Sequence, residues 1–270
     1  MFKYKLLLLA VFLSFSLHSY AKDDDFKSAM SAFNQGDYET ALGKLLPLAD
    51  AGDPKSENII GFMYHEGLGV DQDYGEALKW YRKSAEHGLA DGETNVGVMY
   101  QNGQGVKQNY TEAIKWFRKA AEQGYANAQY LLGLMYQNGQ GVKKDYTETF
   151  KLYQKAAAQG LSFAQANLGY MYQAGQGVKQ DYAEALKWYD KSAYQGYSIG
   201  QFLLANMYQS GTGVKKDLLR AYAWYGLAAA GGVDAARTQR ENIEAGLKPE
   251  QVQEALNLAK EYLRKIKTGK

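Results

Sequence analysis

The sequence predicts an all-α solenoid built from helix-turn-helix repeats, and three observations carry the prediction. One phrase recurs: Met63 to Tyr74 reads MYHEGLGVDQDY, and near-copies begin at Met99, Met135, Met171 and Met207. The period is 36 residues without insertion, giving the units Asp53–Gly88, Leu89–Gly124, Tyr125–Gly160, Leu161–Gly196 and Tyr197–Gly232. A fixed period of this length marks units that bury their apolar faces only by stacking on one another. Finally, each unit carries two apolar patterns of helical period, separated by a glycine-rich stretch.

The first half of each unit places small residues at Ser56, Gly92, Ala128, Ala164 and Gly200. Aliphatic residues follow four later (Ile60, Val96, Leu132, Leu168, Leu204), and tyrosines four further on (Tyr64, Tyr100, Tyr136, Tyr172, Tyr208). That spacing is one helix face, and it predicts the buried side. Gly61, Gly97, Gly133 and Gly169 sit inside this helix, with Ala205 in the fifth unit. A helical glycine costs about 1 kcal/mol against alanine, so its recurrence predicts a close approach of two helices.

The second half starts at Asp73, Asn109, Asp145, Asp181 or Asp217, all good helix caps. Glu76, Glu112, Glu148 and Glu184 lie three residues later, the spacing of a capping box. Ala77, Ala113, Ala185 and Ala221, with Tyr81, Phe117, Tyr189 and Tyr225 four on, mark its buried face. Gly88, Gly124, Gly160, Gly196 and Gly232 suit the left-handed residue that ends a helix. Trp80, Trp116, Trp188 and Trp224 recur at the same period and read as packing between repeats.

The ends differ from the middle. Residues 22–52 keep the phase of the second half but lack the glycine-rich phrase, and read as an N-terminal capping hairpin. Residues 233–270 read as a partial repeat and a C-terminal capping helix, with Pro249 near its start and Lys and Arg in its last turns. Residues 1–21 have the form of a secretory signal: Lys3 and Lys5, an apolar run from Leu6 to Leu17, then Ser19-Tyr20-Ala21. The run is short for a membrane span, which needs about 20 apolar residues. The expected location is therefore periplasmic or secreted, with no membrane span after cleavage.

Removing that segment leaves 29 Lys and Arg against 29 Asp and Glu, a neutral chain (31 − 2 = 29). No global charge argues for nucleic acid as a partner. The absence of cysteine excludes disulfides, thiolate metal sites and a cysteine nucleophile. The GQGVKQ and GQGVKK turns lack the Ser or Thr after Lys of a phosphate-binding loop and lie between two helices. The Ser-x-x-Lys pattern of a β-lactam-reactive serine occurs only at Ser19–Lys22, across the cleavage point. His65 and His87 have no partner at helical spacing, and Glu66 to Asp73 lacks the alternation of a calcium loop. No catalytic residue, cofactor or metal ligand is expected.

These residues carry a resemblance. The unit A-x-x-x-L-G-x-M-Y-x-x-G-x-G-V-x-x-D-Y-x-E-A-x-K-W-Y-x-K-A-A-x-Q-G resembles the Sel1-like repeat, a subfamily of tetratricopeptide-type repeats, over five units and both caps. The resemblance implies a right-handed α-solenoid and a non-enzymatic protein- or peptide-binding adaptor of the bacterial envelope. A cysteine-rich branch of the family binds β-lactams, which supplies the alternative of a cell-wall or β-lactam binding or hydrolysing protein. This chain departs from that branch because it has no cysteine.

In a tetratricopeptide-type superhelix the first helices line the concave face. Positions between the core residues then form a partner-binding groove. They are Asn58 and Phe62; Thr94, Val98, Gln101 and Asn102; Tyr130, Leu134, Gln137 and Asn138; Tyr170 and Gln173; and Phe202, Asn206 and Gln209. These vary between units more than the core does, and they combine aromatics with amides, a composition suited to a peptide. The alternative is that the aromatics pack against neighbouring first helices. The fifth unit's second helix is unusually apolar at Leu218, Leu219, Tyr222, Ala223, Gly226 and Leu227. Coverage by the C-terminal cap explains this, and a homodimer interface through the fifth repeat is the alternative.

Overall fold

The computed structural model describes residues 23–269. Residues 1–21, read above as a secretory signal, lie outside them. Among the described residues every regular element is a helix: α1 (residues 23–34), α2 (Tyr38–Asp50), α3 (Pro54–Glu66), α4 (Tyr74–Glu86), α5 (Ala90–Asn102), α6 (Tyr110–Glu122), α7 (Ala126–Asn138), α8 (Tyr146–Ala158), α9 (Ser162–Ala174), α10 (Tyr182–Tyr194), α11 (Ser198–Ser210), α12 (Leu218–Ala230), α13 (Asp234–Glu244) and α14 (Pro249–Thr268). The chain divides after Gln123 into two compact units, one holding α1 to α6 and the other α7 to α14.

Local chemistry sets the helix ends. Asp73 Oδ1 accepts from the N–H groups of Gly75 and Glu76 at 2.8 and 3.0 Å. Asp145 and Asp181 do the same for α8 and α10. The expected capping box does not form. The cap residue's own N–H is already taken by a carbonyl of the preceding helix: Asp73 N to Tyr64 O at 2.9 Å, Asn109 N to Tyr100 O at 2.8 Å. Glu76, Glu112, Glu148 and Glu184 turn instead to the lysine three residues on.

The first helices end on left-handed glycines, as Gly103 shows with φ +71° and its N–H on the Met99 carbonyl. The second glycine of each turn has a different task. Gly105, Gly177 and Gly213 lie against the backbone that opens the previous second helix, at Tyr74, Tyr146 and Tyr182. The turns are thus stacking contacts between repeats as well as reversals of the chain.

Helix α3 packs on α4, α5 on α6, α7 on α8, α9 on α10 and α11 on α12. The glycines inside the first helices make the approach. A Cβ added at Gly61, Gly97, Gly133 or Gly169 would stand 2.6–2.7 Å from the ring of Tyr81, Phe117, Tyr153 or Tyr189. One expectation needs adjusting. Tyr64, Tyr100, Tyr136, Tyr172 and Tyr208 are half-buried, whereas Met63, Met99, Met135, Met171 and Met207 are fully buried. At about 100° per residue, the tyrosine has turned about 80° from the small residue that starts the stripe, while the methionine returns to within about 20° of it.

The apolar face of α12 is covered within the second unit. Trp224 stacks on Tyr262 of α14 at 4.4 Å and 10°, and Tyr194 meets it edge-on at 5.1 Å. Leu218, Leu219 and Leu227 join the same cluster as Val252, Leu258 and Ile266 of α14. The C-terminal cap therefore occupies the surface that the dimer alternative required.

The core's tyrosines give the fold an alkaline limit. Burial pushes the hydroxyls of Tyr81, Tyr153, Tyr189 and Tyr262 well above the ordinary value, and Tyr225 to about 12. The folded state holds these protons to higher pH than the unfolded state. The stability they represent is whole below about pH 10 and is lost as pH rises from there through the folded-state values. Each residue contributes about 1.4 kcal/mol for every tenfold gain in its proton affinity on folding. Urea titrations are expected to show a steep fall in midpoint above pH 10, with little change between pH 7 and 9.

Candidate functional site

The first helices α3 and α5 carry the candidate face of the first unit. Phe62 is 40% exposed and its ring lies 6.3 Å from Phe33 of α1. Asn58 Oδ1 accepts from Asn95 Nδ2 at 2.8 Å, so this amide ties α3 to α5. Val98 and Gln101 are half-buried, and Asn102 is exposed. Thr94 does not belong on the face. It is 5% exposed, and its hydroxyl donates to the Ala90 carbonyl one turn back at 2.7 Å. A threonine in a helix interior satisfies its hydroxyl in this way when no solvent reaches it.

In the second unit the candidate residues come from α7, α9 and α11 and separate into three kinds. Tyr170 and Asn138 are exposed, Tyr170 by 45%. Tyr130 and Phe202 are packed. The Tyr130 ring stacks on Tyr153 at 5.3 Å and meets Phe163 edge-on at 4.4 Å, and Phe202 leans on Tyr225 at 5.7 Å. Burial raises the Tyr130 hydroxyl, and the hydrogen bond from Asn167 Nδ2 at 3.0 Å partly offsets it. Leu134 packs against the Tyr153 cluster. The packing alternative thus holds for Tyr130, Leu134 and Phe202. Tyr170→Ala is expected to change stability by less than about 0.5 kcal/mol, whereas Tyr130→Ala should remove about 2–4 kcal/mol, as read from urea midpoints.

The amides form the third kind. The Tyr153 hydroxyl donates to Gln137 Oε1 at 2.7 Å, and the Tyr189 hydroxyl to Gln173 Oε1 at 2.6 Å. The Tyr225 hydroxyl lies between Asn206 Oδ1 and Gln209 Oε1, at 2.6 and 2.5 Å, and Gln209 Nε2 reaches Gln239 at 3.3 Å. A core tyrosine on the second helix therefore fixes the amide 16 residues before it on the first. Among the described residues, Nε2 of Gln137 and of Gln173 has no partner within the chain, so a donor remains for a ligand. In the second repeat the equivalent of Tyr153 is Phe117, which has no hydroxyl, and Gln101 lacks this tie.

Sequence reasoning missed that tie and a second one. Glu57 and Glu93 have almost fully buried carboxylates, 2% and 3% exposed. Each is met by a residue 30 positions later at the end of the following helix: His87 Nδ1 lies 2.8 Å from Glu57, and Gln123 Nε2 donates to Glu93 at 2.7 Å. In the second unit the same clasp is made of amides, Gln159 with Gln129 and Gln195 with Gln165. Both ties were visible as paired columns at the repeat period, but the offset of 30 is not a helical spacing. His87 is therefore a structural partner of a buried carboxylate. Among the described residues no cluster of three or more His, Cys, Asp or Glu is placed to hold a metal ion, and no helix is long and apolar enough to cross a membrane.

The Sel1 repeat matches the chain at residues 54–89, 90–125, 126–161, 162–197 and 198–233, one residue displaced from the units drawn above. No curated protein matches it. Among solved structures, the chain is similar to a Sel1 repeat protein from Oxalobacter formigenes, with 34% identity and a TM-score of 0.76, over 87% of this chain and 96% of that one. It is also similar to c5321, a protective antigen present in uropathogenic Escherichia coli strains displaying an SLR fold. The identity is 31% and the TM-score 0.58, over 93% of this chain, which spans 62% of that one. The immunity protein Pa5087 from Pseudomonas aeruginosa shares the fold at 22% identity, with a TM-score of 0.51, over 78% of this chain and 81% of that one.

Proposed function

Because the chain belongs to the Sel1 repeat family, whose members generally serve as protein-interaction scaffolds, we propose that it is a non-enzymatic adaptor of the bacterial envelope. Residues 1–21 would export it, and it would act in the periplasm or outside the cell. Its first-helix face takes an extended peptide segment of a partner protein. The observation that carries this reading is the pair Gln137 and Gln173. Each has its Oε1 held by a buried tyrosine hydroxyl and its Nε2 left over. Two amide donors fixed one repeat apart suit the backbone carbonyls of an extended chain, and the exposed ring of Tyr170 offers an apolar anchor beside them. Because the amides are already ordered by the core, binding loses little side-chain entropy at these positions.

The test separates the donors from the fold. Gln137→Glu and Gln173→Glu keep an acceptor for the tyrosine hydroxyls but remove the Nε2 donors. Peptides selected on the wild-type protein from a displayed random library should lose binding at least roughly tenfold to this pair combined with Tyr170→Ala, with thermal stability near wild type. Selected peptides that bind the triple variant as tightly as wild type would refute the proposal. Turnover of muropeptides or nitrocefin by the purified protein would refute the non-enzymatic part.

A further inference from the structure

The near-neutral total hides an uneven distribution. Residues 23–123 carry 10 Lys and Arg against 17 Asp and Glu, whereas residues 124–270 carry 18 against 12, a net +6. Part of the second unit's excess lies in its glycine-rich turns, at Lys143, Lys144, Lys179, Lys215 and Lys216. All five are exposed, and among the described residues none is in an ion pair. Two helix lysines contrast with them: Lys151 and Lys187 lie 3.3 and 2.5 Å from Glu148 and Glu184. The carboxylates nearest the turns, those of Asp145, Asp181 and Asp217, are committed to helix N–H groups.

The turns keep a common register. Gly177 of one sits on the Tyr146 backbone and Gly213 of the next on Tyr182. Equivalent clefts open along them. One of about 610 Å³ is lined by Tyr136, Lys143, Lys144 and Tyr146, and its counterpart two repeats on, of about 400 Å³, by Tyr208, Lys215, Lys216 and Arg220. The same chemistry therefore returns along this edge, whereas the first-helix face changes from repeat to repeat. A periodic row of like charges fits a periodic ligand of opposite charge. A cation covers one face of two of the rings in these clefts: Lys144 Nζ lies 4.8 Å over Tyr146 and the Arg220 guanidinium 5.5 Å over Tyr208. That leaves less aromatic surface for stacking nucleobases, the contact on which single-stranded nucleic acid binding relies.

We propose that the turn edge of the second unit binds a linear acidic polysaccharide, whose carboxylate or sulfate groups lie along the lysine row. The test is fluorescence anisotropy of labelled polygalacturonate with the full mature chain. The five turn lysines are replaced in one variant, Lys→Gln at 143, 144, 179, 215 and 216. A control of equal net charge replaces Lys151, Lys155, Lys187, Lys191 and Lys260 in the same way. The turn variant is expected to weaken binding roughly tenfold or more and the control by less than about threefold, with about 0.5 M salt abolishing binding of the wild type. Equal weakening in both variants, no binding by the wild type, or tighter binding of single-stranded DNA of matched charge would overturn the proposal. The Tyr170→Ala protein should bind the polymer normally, so this surface and the peptide face fail or stand separately.

Discussion

Replacing Trp224 with alanine is expected to destabilise the protein by about 3–5 kcal/mol, the range for a fully buried large aromatic. The side chain is 1% exposed and is enclosed by Tyr262 and Tyr194. Its removal opens a cavity between α12 and α14, while the Tyr222–Glu244 hydrogen bond and the Arg240–Tyr222 contact still tie α13 to α12. The equivalent Trp80, Trp116 and Trp188 are only half-buried, each under a lysine ammonium three residues on. Their alanine variants should lose less, because part of each ring already faces water. Urea unfolding of the four variants tests the order. A Trp224 variant no weaker than Trp116→Ala would show that the cap does not depend on that stack.

Gly177→Ala is expected to cost about 2–5 kcal/mol. Two effects add. The residue has φ +67°, a conformation that costs an L-residue about 1–2 kcal/mol. Its Cβ would also overlap the carbonyl oxygen of Tyr146 and stand 2.9 Å from the Thr147 nitrogen. Those are backbone atoms at the start of α8, which no side-chain rotation can move, so overpacking adds about 1–3 kcal/mol. Gly160 isolates the first effect. It has φ +94° with nothing within 4 Å of an added Cβ, so Gly160→Ala should lose only about 1–2 kcal/mol. Equal losses at the two positions would remove the stacking role of the turn.

The fold was legible because each repeat states its local rules in full. Cap, apolar stripe, internal glycine and terminal glycine lie at fixed offsets, and each offset has one physical reading. The capping box misled because Asp73 and its equivalents give their N–H to the tyrosine carbonyl of the first helix. No spacing within the second helix could report that. The candidate face was legible as a set of helix positions but not as a set of exposures. Tyr130 and Tyr170 occupy nearby positions in adjacent repeats of one face, yet Phe163 covers the first and nothing comparable covers the second. The Tyr–Gln ties at an offset of 16 lie in the third dimension: they join a core column to a surface column that the sequence presents as independent.

The central claim is that the first-helix face of the second unit meets a partner. A photo-crosslinking amino acid at position 170, compared with one at position 187 on α10, tests it in intact cells. The account predicts a discrete covalent adduct to a protein at 170 that disappears with Gln137→Glu and Gln173→Glu, and none at 187. Equal adducts at both positions, or an adduct at 170 that survives loss of the two amide donors, would contradict it.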